Sequence, residues 1–215
     1  MKYFLSIVFW GVLTCHLLGA QNSKIDSLKN EWKNTNQIDS VRFEKGYDLY
    51  MLQFRHNLDT ARVTGYELLQ LALAKKNRDW EATALNLIGR SYAVAGEFTD
   101  ALKYFQQSHE INILLNDKKA TATSYNNVGT VFYELGNYTK ALENMLAGLK
   151  ISEELEDKPS LARVTNNLGN VYVDQKNNLK ALEYYTRSLE IKKESGNKRA
   201  LPAAYNNIGL VHTNL

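Results

Sequence analysis

Pairs of asparagines recur at a fixed interval and are the residues of this sequence best suited to recognise another polypeptide. They are Asn126-Asn127, Asn166-Asn167 and Asn206-Asn207, which follow a constant 40-residue interval, and Asn86 precedes them by one further interval. A side-chain amide has both donors and an acceptor, so it can pair with the N–H and C=O groups of an extended peptide. The same amides could instead bridge neighbouring repeats, and the sequence leaves both interpretations open.

Patterns for catalysis or metal binding are not found in the sequence. After residue 20, histidines occur only at His56, His109 and His212, far apart and without the spacing of a metal site. Glycine-rich phosphate loops are missing, and no strand-turn-helix context supports a nucleophile. We therefore expect a protein that is not an enzyme, with no cofactor and no metal.

Each 40-residue interval has the pattern of two helices. Tyr125, Val128, Gly129 and Phe132 follow the i, i+3, i+4, i+7 spacing of one buried helical face. Gly136 then predicts a helix end, because glycine adopts the left-handed conformation without a side-chain penalty. A second stripe of small or apolar residues follows and consists of Ala141, Met145 and Gly148. One such hairpin cannot bury both faces, so the pattern predicts an all-α array of stacked helix pairs.

At these positions the chain resembles the tetratricopeptide-repeat family. The first well-preserved unit matches the family's pattern at Leu85, Ile88, Gly89, Tyr92, Gly96, Phe98, Ala101 and Phe105. The resemblance implies a tetratricopeptide-like superhelical solenoid of antiparallel helix pairs. The family's usual unit is shorter, about 34 residues, and we expect the additional residues of this 40-residue unit to lengthen the second helices. The third unit has Lys176 where glycine is expected, although Asn177 beside it tolerates the left-handed backbone.

The sequence predicts three parts of the chain. Residues 1–20 are a predicted signal peptide. Residues 21–80 are predicted to form a capping helix, from Ser23 to Lys33, and a degenerate repeat. Residues 81–215 are predicted to be tetratricopeptide repeats, and we expect the last of them to be incomplete. Because the first-helix pattern after Tyr205 has no second helix behind it, we expect the gene to continue past Leu215.

In this family the first-helix positions around the asparagine pair line the ligand groove. Carried over, the resemblance implies that the groove contains Thr83, Asn86, Leu87, Arg90, Thr123, Asn126, Asn127, Thr130, Arg163, Asn166, Asn167, Asn170, Asn206 and Asn207. The two arginines could hold a carboxylate or simply form a solvated face.

The implied function is an exported scaffold that binds a protein or peptide. Long-unit arrays of this type are similar to kinesin light chains and to bacterial peptide-sensing regulators. One alternative is the sensory region of a membrane histidine kinase or cyclase whose catalytic part lies in the same polypeptide, beyond this chain. A second alternative is a pure assembly scaffold. Lys and Glu alternate without basic blocks and the formal charge is only +3, so we expect no nucleic-acid partner.

The first twenty residues predict export to the periplasm or cell surface. Lys2 precedes an apolar run over residues 3–13, and Ala20 stands before the predicted cleavage site. One alternative is an uncleaved anchor formed by residues 3–20. Another is lipidation at Cys15, although Thr14 stands where a lipoprotein motif has Gly, Ala or Ser. Cleavage would remove Cys15, the only cysteine of the chain.

Overall fold

The computed structural model describes residues 23–213, and this range is helical without strands. Its helices are α1 (23–33), α2 (Asp39–Gln53), α3 (Leu58–Ala74), α4 (Arg78–Val94), α5 (Phe98–Leu114), α6 (Lys118–Glu134), α7 (Tyr138–Glu154), α8 (Lys158–Asp174), α9 (Asn178–Glu194) and α10 (Leu201–Thr213). A short 3-10 turn, Lys198–Ala200, leads into α10. The all-α prediction is confirmed. The predicted signal peptide lies outside the described residues.

The helices α4 to α9 are each 17 residues long, and short turns of equal length join them. First and second helices of a pair therefore have the same length, and the prediction that the second helices would be longer is wrong. The reason lies in the turns, whose left-handed residues at positions 96, 116 and 136 divide the 40-residue unit into equal halves.

These turns share one left-handed residue. Positive φ angles occur at Lys76, Gly96, Asn116, Gly136, Glu156, Lys176 and Gly196. Lys176 itself has a φ of 57°, whereas Asn177 has a φ of −95°, so the lysine takes the left-handed conformation and the asparagine beside it does not. The backbone N–H groups of Lys176 and Asn177 donate to the carbonyls of Val173 and Tyr172, both at 2.8 Å. These bonds close the helix and offset the strain of about 1–2 kcal/mol at a left-handed lysine.

The residue after each left-handed position begins the next helix. At Asn77, Asp117, Asn137 and Asn177 the side-chain oxygen accepts a hydrogen bond from the backbone N–H three residues later, at 2.9 to 3.2 Å. Such N-caps stabilise a helix by about 1 kcal/mol. One short polar side chain thus fixes where each of these helices starts.

Two compact units divide the described chain, residues 23–91 and residues 92–213. In the first unit, α2 packs against α3, and the buried core includes Trp32, Phe43, Leu68 and the fully buried Tyr50. The ring of Phe43 stacks on Trp80 with 4.7 Å between centroids. The predicted boundary between residues 80 and 81 remains a prediction.

In the second unit, consecutive helices from α5 to α10 pack against one another and bury a series of small apolar clusters. Gly129 lies where α6 crosses α7, and a Cβ there would be 2.7 Å from Met145 Cγ and 3.1 Å from the Ala141 carbonyl oxygen. Gly169 has the same role against the ring of Tyr185. Across the described residues, no helix is both long and apolar enough to cross a membrane.

Candidate functional site

The asparagine pairs of α6, α8 and α10 hydrogen-bond to one another across neighbouring repeats. Asn167 Nδ2 donates to Asn126 Oδ1 at 3.1 Å, and Asn207 Nδ2 donates to Asn166 Oδ1 at 3.2 Å. Both bonds join residues that are 41 positions apart. We call these four residues the amide ladder. The interpretation in which the amides bridge repeats therefore describes the contacts that these side chains make.

The ladder follows from the repeat interval. In each bond the first asparagine of one pair accepts from the second asparagine of the next pair, so a single asparagine per repeat would not suffice. Asparagine disfavours a helix interior, because its side chain competes for backbone hydrogen bonds. A hydrogen bond contributes about 0.5–1.5 kcal/mol, which offsets that cost. Asn126 is buried, so its partner also satisfies an amide removed from water.

Two more predicted residues make hydrogen bonds within the repeats, and Thr130 belongs to the amide network. Thr130 accepts from Asn167 Nδ2 at 3.2 Å and donates to the Asn126 carbonyl at 2.8 Å. Asn170 accepts from the hydroxyl of Tyr185 at 2.7 Å. Burial raises the pKa of Tyr185 to about 12, so the phenol remains protonated and a donor at neutral pH. Thr130 and Asn170 therefore position neighbouring side chains within the repeats.

A further pair of residues that are 41 positions apart, Tyr133 and Asp174, connects the first helices α6 and α8. Burial and, secondly, a hydrogen bond to Asp174 raise the pKa of Tyr133 well above its usual value. Tyr133 and Asp174 have the same separation in sequence as Asn126 and Asn167. Sequence reasoning missed this pair, although its spacing equals that of the amide bonds.

The two predicted arginines lie in different units. Arg90 is in the first unit, where its guanidinium lies 4.9 Å above the ring of Phe54 and 3.7 Å from Met51 Sδ. Arg163 is exposed in the second unit and donates to Thr123 Oγ1 at 3.2 Å, a further link between α8 and α6.

The remaining predicted positions have less defined roles. Asn86 and Asn127 are half-buried, and each has a partner within the protein. Asn206 is exposed on α10. Thr83 and Leu87 belong to the first unit, and Leu87 is buried in its core.

An open groove lies against the amide ladder in the second unit. It has a volume of about 590 Å³ and is lined by Pro159, Ala162, Arg163, Asn166, Asn167, Lys192, Ser195, Asn197, Ala200 and Ala203. Three of these residues, Arg163, Asn166 and Asn167, were predicted from the sequence. The groove therefore includes only the α8 part of the predicted first-helix face, together with the end of α9 and the turn into α10.

Sequence reasoning missed Lys192, the half-buried cation of this groove. Its Nζ lies 3.4 Å from Asn166 Oδ1, and burial lowers its pKa. One and two repeats earlier the same position holds Ser152 and Asn112, both buried and uncharged. A lysine that interrupts a polar, uncharged repeat position is the signal that could have identified it.

Within the described residues, no group of three or more His, Cys, Asp or Glu side chains is arranged to hold a metal ion. His109 Nδ1 instead lies 2.7 Å from Ser124 Oγ, and burial lowers the pKa of this imidazole.

Comparison with solved structures confirms the solenoid fold. BtubC (BKLC) from P. vanneervenii is 20% identical, with a TM-score of 0.78 over 91% of this chain and 84% of that chain. Aspartyl phosphate phosphatase F from Bacillus subtilis is 19% identical, with a TM-score of 0.67 over 80% of this chain and 46% of that one. A signal transduction ATPase with a tetratricopeptide repeat sensor, from Pyrococcus horikoshii, is 18% identical, with a TM-score of 0.72 over 87% of this chain and 29% of that one.

Sequence comparison identifies the family. No curated protein sequence matches the chain. The sequence model of the tetratricopeptide repeat matches residues 80–154, 120–194 and 160–214, three overlapping windows that together cover more than half of the chain. The chain therefore belongs to the tetratricopeptide-repeat family.

Proposed function

We propose that this protein is a scaffold that binds an extended polypeptide along the groove beside the amide ladder. The tetratricopeptide-repeat fold is typically a non-catalytic scaffold, and its repeats generally bind protein partners. The observation that carries the proposal is the groove itself, which exposes amides that still have hydrogen-bonding capacity.

The unused capacity lies on adjacent residues of α8. Asn166 accepts through Oδ1, and Asn167 donates through Nδ2. In the described part of the chain, no hydrogen bond uses Asn166 Nδ2 or Asn167 Oδ1. One donor and one acceptor side by side match the C=O and N–H of a peptide backbone. The ladder thus holds the amides in place for a ligand.

The spacing of the repeats suits an extended chain. Packed helices lie about 8–10 Å apart, and an extended peptide advances about 3.3 Å per residue. Amides on successive first helices would therefore meet about every third residue of the ligand. A peptide bound in this groove would cross the first helices α8 and α10.

Site-specific photo-crosslinking in the native host tests the proposal. A photoreactive benzoyl-phenylalanine replaces Ala203, an exposed residue of the groove, and in a control protein it replaces Leu179, which is 73% exposed on α9 and outside the groove lining. We expect a defined polypeptide adduct from position 203 and none from position 179, with the crosslinked peptide identified by mass spectrometry. Adducts of equal yield at both positions, or none at position 203, would reject the groove as the binding site.

We also propose that the protein is exported and that cleavage follows Ala20. Lys2, the apolar run after it and the small residue at position 20 support this proposal. Mass spectrometry of protein from the native host should find Gln21 as the first residue. A membrane-bound form that retains Met1 would contradict cleavage and support an anchor.

The second candidate function is the sensory region of a membrane signalling enzyme. The observation that favours it is the likeness to the Pyrococcus horikoshii signal transduction ATPase, in which the repeats are described as a sensor. Sequencing the gene beyond Leu215 separates the two, because the sensory function requires a signalling domain in frame.

A further inference from the structure

We propose that Lys192 and Arg163 form a subsite of the groove that binds an acidic side chain, Asp or Glu, of the polypeptide ligand. The inference rests on the proposed function, since it assigns a chemistry to one position of the same groove.

The charges of the groove lining favour an anion. Both charged residues among its lining side chains are cations, and none is a carboxylate. In the described part of the chain, no carboxylate lies within ion-pair distance of the Lys192 ammonium. Glu194, two residues after Lys192 in the sequence, pairs with Lys158 at 3.1 Å, and Asp157, the N-cap residue of α8, pairs with Lys119 at 4.0 Å.

Lys192 is also incompletely satisfied. An ammonium group has three donors, and the structure gives this one a single long bond, 3.4 Å to a neutral amide oxygen. Partial burial removes water from the charge, which is costly unless a counter-charge is present. The lowered pKa of Lys192 reflects this desolvation. A carboxylate in the groove would restore the missing interactions.

The cation is particular to this repeat. The equivalent residues Asn112 and Ser152 are uncharged and buried, and Ser152 donates to the Gly148 carbonyl within its own helix at 2.8 Å. Packing of the array therefore does not require a lysine at this position. Lys192 adds charge to the groove that the earlier repeats lack.

The open form of the groove favours a side chain over a chain terminus. Arg163, Ser195 and Ala203 are exposed along its rim, so a peptide can enter and leave the groove without ending there. A carboxyl terminus has the same chemistry, and the experiment distinguishes the two sources.

The experiment is an NMR titration of the purified protein that follows the side-chain amide signals of asparagine. The probe is the blocked peptide acetyl-Ala-Glu-Ala-Glu-Ala-amide, compared with the same peptide carrying Gln in place of Glu. We expect the Glu peptide to shift the amide signals of Asn166 and Asn207 and to bind at least about tenfold more tightly, the value of one charge-assisted hydrogen bond.

Two variants assign the effect to Lys192. Lys192→Met should lose the preference for the Glu peptide, whereas Lys192→Arg should retain most of it. The matched control is Lys193→Met, which removes an equal charge from the adjacent lysine, whose Nζ lies 5.4 Å from the Tyr205 ring. We expect this control to bind as the unaltered protein does.

Equal affinity for the Glu and Gln peptides, no shift with the Glu peptide, or an unchanged preference in Lys192→Met overturns the subsite. A second probe is a peptide with uncharged side chains and a free carboxyl terminus. If it binds as tightly as the blocked Glu peptide, the assignment of the subsite to a side chain is overturned. The proposed function is judged separately, because a groove that binds both blocked peptides equally, or that crosslinks at position 203, still holds a polypeptide.

Discussion

The amino-terminal helices and the regular repeats make their polar contacts in different ways. In α2 and α3 the contacts include ones that do not recur at the repeat interval, such as the bond from the Tyr50 hydroxyl to the Leu87 carbonyl at 2.6 Å. In α6 to α10 the contacts recur, and Asn126–Asn167 and Asn166–Asn207 have the same separation in sequence. A repeated sequence interval produces a ladder, whereas α2 and α3, which precede the well-preserved units, make single polar and aromatic contacts such as Thr64 to Gln53 and Phe43 to Trp80.

The turns do not share this difference. The left-handed Lys76 and the N-cap Asn77 of the first unit have the same arrangement as Lys176 and Asn177 of the second. Turn geometry depends on a few adjacent residues, so it is the same in both regions although their hydrogen bonds between helices differ. The substitutions below test how far the two regions differ.

The largest effect should come from filling a glycine at a helix crossing. Gly129→Leu should destabilise the protein by about 1–3 kcal/mol or more, because a side chain there meets the backbone carbonyl of Ala141. At Gly46 of the first unit the nearest atoms to an added Cβ are in the side chains of Leu68 and Trp32, both at 2.8 Å, so Gly46→Ala requires these side chains to shift and, as the smaller substitution, should cost less than Gly129→Leu.

Thermal melting followed by circular dichroism measures both effects. Gly209→Ala is the control, since a Cβ at Gly209 would have no atom within 4 Å. Alanine there should stabilise helix α10 slightly. An unchanged melting temperature for Gly129→Leu would mean that α6 and α7 do not approach each other closely at Gly129.

The next effect tests an individual contact of the amino-terminal region. Tyr50→Phe should cost about 1–3 kcal/mol, because it removes a fully buried hydroxyl that bonds to the Leu87 carbonyl and lies 2.9 Å from Ser91 Oγ. Urea denaturation measures the change. Tyr205→Phe is the matched control on an exposed ring and should leave the stability unaltered. Equal effects of the two substitutions would contradict a special role for Tyr50.

A smaller effect is expected for one bond of the ladder. Asn167→Ala should cost about 0.5–1.5 kcal/mol from lost hydrogen bonds, reduced by the better helix propensity of alanine. A double-mutant cycle with Asn126→Ala should show a coupling of about 0.5 kcal/mol or more, because the two amides bond directly. Asn206→Ala, on an exposed residue, is the control and should be neutral or stabilising. Additive effects of the two substitutions would show that the Asn126–Asn167 bond does not contribute to the stability of the repeats.

The smallest effect concerns the turns that both regions share. Lys176→Gly should stabilise the protein by up to about 1 kcal/mol, because the left-handed strain of about 1–2 kcal/mol exceeds the entropic cost of glycine. Lys76→Gly should give a gain of similar size, since Lys76 has a φ of 51°. Gly136→Ala, at a φ of 72°, should be destabilising and serves as the reverse control. Gains confined to one of the two lysines would show that the turns are not equivalent.

Much of the fold could be predicted from the sequence because it depends on near neighbours. The spacing of Tyr125, Val128, Gly129 and Phe132 predicts a helix with one buried face, and Gly136 predicts its end. The 40-residue interval predicts stacked pairs and places the asparagines on one face. These inferences use only local periodicity, a constant interval within the chain and turn chemistry.

The tertiary structure decided which atoms meet. Nothing local shows that Asn167 bonds to Asn126, because that choice depends on how two first helices are rotated and staggered against each other. The left-handed conformation of Lys176 likewise follows from the helix-closing bonds around it and not from the preference of lysine. Lys192 enters the groove because α9 ends beside α8, which brings its ammonium to the Asn166 amide. Helix formation is local, whereas the choice of partners across helices is set by how the helices pack, which is a property of the tertiary structure.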